Sequence, residues 1–148
     1  MLCLFIRGTQ MAIRTYSELI TLPTFLDRFE YLRLNGKVGE ETFGYYRYLN
    51  QVFYRSSEWR KIRNLVIVRD NGCDLGLSGY DIHGKVYIHH MNPITVDDIR
   101  NRSEFLLNPD YLICVSHMTH EAITYGDKNL LLLEPMERTK NDTCPWRR

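Results

Sequence analysis

No two cysteines of this chain form a C-x-x-C pair. Cys3, Cys73, Cys114 and Cys144 are scattered over 148 residues, and that spacing argues against a zinc ribbon. Long apolar runs are missing as well. The opening MLCLFIRGTQ breaks at a charge after a short apolar run and has no cleavage pattern, so no secretory signal is expected. Nothing approaches the ~20 apolar residues of a membrane helix. Together these absences give the expectation of reduced thiols in a cytoplasmic protein with no membrane partner. Met11 offers a second start, which would make the first ten residues an extension. An excess of one charge sign is also lacking. Lys+Arg number 19 against 18 Asp+Glu, a net charge of +1, so the chain as a whole carries no polyanion-binding signature. Internal repeats and low-complexity segments are absent too.

What is present suits one domain of ordinary size. The hydrophobic fraction is 44% and the aromatic fraction 12%, enough for a true core. Positive charge is concentrated locally: Arg55, Arg60, Lys61, Arg63 and Arg69 stand against one acid, Glu58. Helical spacing appears over 22–34 in Leu22, Leu26, Phe29 and Leu32 or Arg33, with Thr24 and Asp27 as a start signal. It recurs over 40–54 in Phe43, Tyr46, Leu49 and Phe53, despite Gly44. The clearest helix is SSEWRKIRNLVIVRDNG. Ser57 is its expected cap, Trp59, Ile62, Leu65 and Val66 its buried face, and Asn71-Gly72 its end. YDIHGKVYIHH reads as two short strands turned at His83-Gly84. Thr95 and Asp98 frame a capping box for a short helix over 96–102. YLICV is a strand or a buried loop, and Ser116 caps a last helix that Gly126 ends. The fold class expected is α+β, with a helical region over 1–54 and a β-hairpin, loop and helix over 55–148, the two forming one compact unit.

The histidines carry the chemistry. A lone histidine is more often a surface or hydrogen-bonded residue than a ligand, and His83, at a turn, is read that way. His89, His90 and His120 form a joint pattern: a pair at a strand end, a loop, then a third imidazole one turn into a capped helix. Imidazole is the commonest transition-metal ligand, and two histidines leave a metal open, as catalysis requires.

On these residues the chain resembles a known family. IHHMNPI followed by LICVSHMTHEAI is similar to the HNH, or ββα-metal, endonuclease motif. SSEWRKIRNLVIVRDNGCDLG and GDKNLLLLEPMERTKNDTCPW resemble the flanks of its phage-encoded members, so the likeness covers about residues 50–146. It implies that His89 ligates a divalent ion (Mg, Mn, Ni or Zn), that His90 is the general base, and that the helical ligand is His120. The family's middle Asn lies nine residues before its helical His. That register puts Tyr111 with His120 or Asn108 with His117, and both remain open. Zinc-bearing members carry four cysteines where this chain has Cys73, Gly76, Ser116 and Thr119, which implies a branch without structural zinc. Cys73 and Cys114 then read as buried small hydrophobes. Thr124 stands where some relatives, such as the colicin nuclease domains, have a further helical His.

The resemblance implies a metal-dependent endonuclease acting on double-stranded DNA. His90, with an ordinary pKa near 6.5, would take a proton from water, and the ion would stabilise the leaving oxygen. Arg60, Arg63 and Arg69 would meet backbone phosphates, although a solvated helix face explains each as well. Relatives dock in the minor groove, which implies little base readout. A single site nicks, and a homodimer would cut both strands. Phage members lie near packaging genes, so a terminase or portal partner and the host cytoplasm are what the likeness suggests. Two other readings stand beside this one. The first is an HNH-fold DNA-binding or packaging module weakened in cleavage, supported by Tyr111 and Thr124. The second is a metal-free α/β protein with incidental histidines.

Overall fold

The computed structural model describes residues 12–34, 45–76 and 80–131. A one-turn helix α1 (Tyr16–Leu19) leads into α2 (Phe25–Leu32), and α3 (Tyr45–Arg55) runs into α4 (Ser57–Arg69). Two-residue strands β1 (Cys73–Asp74) and β2 (Tyr80–Asp81) follow, then β3 (Tyr87–His90). A connector holds α5 (Val96–Asn101), α6 (Glu104–Leu107) and a 3-10 turn over Pro109–Tyr111. Then come β4 (Leu112–Val115), α7 (His117–Tyr125) and a last 3-10 turn. The architecture is therefore α+β: helices around two small antiparallel sheets, β1–β2 and β3–β4.

The β3–β4 ribbon is the centre of the molecule. Its register pairs Tyr87 with Val115, Ile88 with Cys114, His89 with Ile113 and His90 with Leu112. Successive side chains leave a strand on opposite faces, and here both faces are covered. Tyr87, Met91, Ile113 and Val115 pack with Leu19, Leu32 and Ile123 from α1, α2 and α7. Ile88, Leu112 and Cys114 pack with Phe53, Trp59, Val66 and Leu106 from α3, α4 and α6. Coverage on both sides explains why all four residues of β4 are apolar and fully buried, as a strand between two layers must be.

This arrangement corrects the expected hairpin at His83-Gly84. Residues 80–81 pair with β1, not with β3, whose partner is the LICV strand twenty-odd residues later. Pairing within 80–90 would have left the backbone of the buried, wholly apolar LICV run without a ladder. The surface instead takes the polar link that contains His83, Gly84 and Lys85, all exposed.

Cap chemistry decides the helix ends. Thr24 accepts from the Asp27 amide at 3.1 Å, Thr95 and Asp98 close a complete capping box, and Ser116 accepts from Thr119 N at 3.2 Å. Gly126 ends α7 in the left-handed region at φ 67°. There a Cβ would lie 2.8 Å from the Leu34 carbonyl oxygen, so the position needs glycine on both counts. Three details differ from expectation. The cap of α4 is Ser56, whose hydroxyl accepts from Trp59 N, not Ser57, which is the first helical residue. Leu65 and Leu26 are 57% and 55% exposed, and the inward place on α2 goes to Arg28, which donates to the carbonyls of Leu22 and Leu75. The expected stripe residue Phe43, the neighbouring Gly44 and the side chain of Tyr46 lie outside the described residues, as do Cys3 and Cys144.

Candidate functional site

The strand geometry separates the two adjacent imidazoles. His89 turns toward α7, and its ring centroid lies 5.4 Å from that of His120, edge to face at 82°. Tyr87, two residues back on the same face, stacks on His120 at 5.7 Å and meets His117 at 5.3 Å. His90 turns toward α4. Trp59 stacks on it at 5.3 Å and 17°, and Tyr54 meets it edge-on at 6.4 Å. The opposite faces that alternation requires are thus occupied by two different aromatic settings.

Burial controls the protonation of all three rings. Burial first, then the nearby His120, His90 and Arg14, pushes the His89 pKa down to about 3. Burial lowers His90 to about 4 against a hydrogen bond with the Leu106 backbone that acts to raise it. His120 is lowered in the same way by burial and by His117. The expected ordinary value near 6.5 for His90 is therefore corrected: an apolar, Trp-stacked pocket disfavours the imidazolium. At neutral pH both rings of the pair are uncharged, and each offers one acceptor nitrogen. The Nε2 atoms of His89 and His90 are both shielded from solvent without a hydrogen-bond partner. Such orphans are rare in folded proteins and call for a ligand or a water.

The connector is braced by Asn108. Its side-chain oxygen accepts from Asp110 N at 2.9 Å, and its side-chain nitrogen donates to Glu104 at 2.9 Å. Its backbone bonds to Glu104 O and Tyr111 N. This fixes the segment whose Leu106 backbone holds His90. The Tyr111 ring packs on Phe105, and only its carbonyl reaches the end of β3, accepting from Met91 N. Asn108 thus braces the loop, while the imidazole beside His89 is His120, one residue from each of the two registers. His117 has a side chain 60% exposed and faces Glu121, with Nε2 3.3 Å from Oε1.

Of the arginines, Arg60 is exposed on α4 and Arg63 is half-buried. Arg69 is corrected as a DNA contact. Its guanidinium donates to both Asp70 carboxylate oxygens and to the carbonyls of Pro109 and Leu112, and it lies 3.7 Å over the Tyr16 ring. Each of its three nitrogens is engaged in holding α4 against the connector and β4.

Of the four positions at which the resemblance places zinc ligands, Gly76, Ser116 and Thr119 are not cysteines and meet at a carboxylate instead. The Asp74 carboxylate accepts from Gly76 N at 2.9 Å, Ser116 N at 3.0 Å and Thr119 Oγ1 at 2.6 Å. Cys114 is buried, and its thiol is pushed up to about 12 by burial and by Asp70, as suits an inert small hydrophobe. Cys73 departs from the buried reading: its Sγ lies 3.3 Å from an Asp81 oxygen, at the exposed edge.

Among the described residues no group of three or more His, Cys, Asp or Glu converges as a metal cage. His89 and His120 are the two imidazoles that lie side by side on this face, with Thr124 one turn beyond on α7. No protein-family model, curated protein or solved structure matches the chain. Sequence reasoning missed Trp59 as the ring against His90, having read it only as core, and missed Asp74 and Arg14 altogether. These residues act through long-range contacts that leave no local periodicity. No helix in the described residues is long and apolar enough to cross a membrane.

Proposed function

We propose that the chain is a divalent-metal-dependent endonuclease of the ββα-metal (HNH) type that hydrolyses DNA phosphodiester bonds. The observation that supports this reading is the juxtaposition across β3, loop, β4 and α7. His89 and His120 lie side by side with the His89 Nε2 buried and unpartnered, and His90 lies on the other face with its own Nε2 unpartnered. An orphaned imidazole nitrogen beside a second imidazole fits a metal-binding role. Two nitrogens leave the remaining coordination positions to water and a phosphate oxygen, as an open catalytic site requires.

The geometry supports the following roles. His89 and His120 hold the ion, which when bound supplies Lewis-acid stabilisation of charge on the phosphate and leaving oxygen. The Leu106 backbone bond and the Trp59 face fix the His90 ring, so one nitrogen is presented as a base. A low proton affinity keeps that nitrogen free at neutral pH, although it weakens the pull on water relative to an ordinary histidine. Tyr87 stacks on His120 and Tyr54 meets the edge of His90. Arg60 and Arg63 on α4 are the candidate backbone-phosphate contacts.

A DNA-binding or packaging module without cleavage is the second reading, favoured by the donor set of only two imidazoles and by Thr124. Supercoiled plasmid incubated with the protein and Mg²⁺, Mn²⁺, Ni²⁺ or Zn²⁺, with EDTA as control, separates the two. Metal-dependent nicking that His90→Ala abolishes is the expected result. Retention of plasmid without nicking at any metal would leave the module.

A further inference from the structure

His83 and His117 are the two histidines that the site above does not use, and one groove takes both. It holds about 350 Å³ and is lined by His83 and Lys85 from the link between β2 and β3, by Tyr87, and by Ser116, His117 and Met118 at the start of α7. The groove adjoins the candidate metal face through a shared wall. The Tyr87 ring centroid lies 5.3 Å from that of His117, on the groove, and 5.7 Å from that of His120, beside His89. The groove and the paired imidazoles are thus one aromatic ring apart.

The lining has the chemistry of an anion site. Lys85 places its ammonium 5.1 Å from the Tyr87 ring centroid, over its face. That cation–π contact holds a long exposed side chain at the groove. Among the described residues no carboxylate pairs with Lys85, so its N–H donors remain for a ligand. His83 adds an exposed imidazole, which carries an N–H in either protonation state. His117 is positioned by Tyr87 and by Glu121, 3.3 Å from its Nε2. Asp81, the one carboxylate of the lining, accepts from Cys73 Sγ at 3.3 Å in the β1–β2 sheet, whereas the cation stands by Tyr87. His83, Lys85 and His117 are all exposed. Sites for small molecules are enclosed and mostly apolar. Basic side chains interleaved with an aromatic ring along an open groove instead suit a nucleic-acid backbone that passes over a surface.

We propose that this groove carries the sugar–phosphate backbone of a nucleic-acid strand as it leaves the His89–His120 face, with Lys85 and His83 donating to its phosphate oxygens. The inference rests on the nuclease reading for the identity of the strand, while recognition of phosphate in the groove is independent of cleavage. It gives the link between β2 and β3 a direct part in binding.

The test uses the full chain as wild type, Lys85→Gln and Lys128→Gln, each first checked by thermal melting. Both lysines are exposed, and Lys128 lies beyond α7, outside the groove lining. A fluorescent DNA duplex is titrated in EDTA over a series of salt concentrations. Losing one phosphate contact lowers the salt slope by about one. That drop is expected for Lys85→Gln whatever the duplex sequence, and none for Lys128→Gln. Equal slopes in the two variants overturn the proposal, since loss of a charge anywhere would then have the same effect. A second measurement needs only the wild type. The imidazole NMR signals of His83 and His117, assigned with His83→Gln and His117→Gln, should shift when duplex is added in EDTA. Inorganic phosphate at the same phosphate concentration should leave them in place. Signals that stay fixed with duplex overturn the proposal, and equal shifts with inorganic phosphate replace the strand by a lone anion and overturn it too. Plasmid nicking with Mn²⁺ separates this inference from the nuclease reading. Wild-type protein that never nicks, with a slope that still falls in Lys85→Gln, overturns the nuclease reading and keeps the groove. Nicking by the wild type with an unchanged slope in Lys85→Gln does the reverse.

Discussion

At the scale of single residues, the adjacent histidines have separable jobs because a strand sends them to opposite faces. His89 shares its face with His120, whereas His90 lies against Trp59. Removing His89 should weaken divalent-ion affinity markedly, and excess metal should restore part of any cleavage. Removing His120 should do the same, whereas His83→Ala and His117→Ala should bind metal as the wild type does, since both side chains point to solvent. Calorimetric titration of Mn²⁺ or Ni²⁺ into the four variants is the check, and equal affinities throughout would remove the ligand assignment. His90→Ala should leave metal affinity intact and slow cleavage by ~10²–10⁴-fold, the usual range for general-base catalysis. A His90→Ala rate that recovers at high metal, with a His89→Ala rate that does not, would reverse the two roles. The pair was legible in the sequence because it ends an apolar run. Its environment was not: nothing near His90 in sequence announces that Trp59, thirty residues earlier, lies flat on its ring and lowers its proton affinity.

At the scale of elements, cap residues were the most legible features because their hydrogen bonds close within three or four positions. Thr24, the Thr95–Asp98 box, and the Ser116 to Gly126 span of α7 all appear as their side chains imply. Strand pairing was the least legible. The partner of YIHH is LICV, and choosing it over YD depends on a second layer of helices that no local pattern reveals. The cap of α4 gives a clean comparison. Ser56→Ala removes the acceptor for Trp59 N and should cost about 1 kcal/mol, whereas Ser57→Ala, inside the first turn, should cost little. Urea melts of both variants decide it, and an equal cost would return the cap to Ser57. Gly76 gives a sharper test of the Asp74 cluster that ties β1 to α7. A Cβ there would meet the Thr119 methyl at 2.5 Å, so Gly76→Ala should destabilise by about 1–3 kcal/mol through overpacking. Gly76→Ala combined with Thr119→Ser, which deletes that methyl, should recover part of the loss.

At the scale of the whole molecule, α1, α2, β3, β4 and α7 share one core, with His89 and His120 on its side of the β3–β4 ribbon and His90 on the other. That union was only partly visible beforehand, because Arg14, Asn92 and the bond from Leu34 N to Ile123 O join segments that read as separate regions. Its consequence is a pH dependence of stability. His89 and His90 are held neutral in the fold, with pKa values of about 3 and about 4, while in the unfolded chain both titrate near 6.5. Above pH 6.5 neither state binds the extra protons, and stability is intact. Below it the unfolded chain takes up protons that the fold refuses, so stability falls with pH until the folded-state values are passed. His120 is lowered too and acts in the same direction. Each fully refused proton costs about 1.4 kcal/mol per pH unit, so two together weaken the fold by roughly 3 kcal/mol per unit. A domain stable by about 5–15 kcal/mol cannot withstand that for long. In metal-free buffer, urea midpoints should therefore drop steeply between pH 6.5 and 4.5, with acid unfolding near pH 4–5. The variant His90→Gln, which keeps a polar group of similar reach but cannot titrate, should show about half the slope if it folds. A wild-type midpoint that stays level across that window would mean the two imidazoles are not buried as a neutral pair.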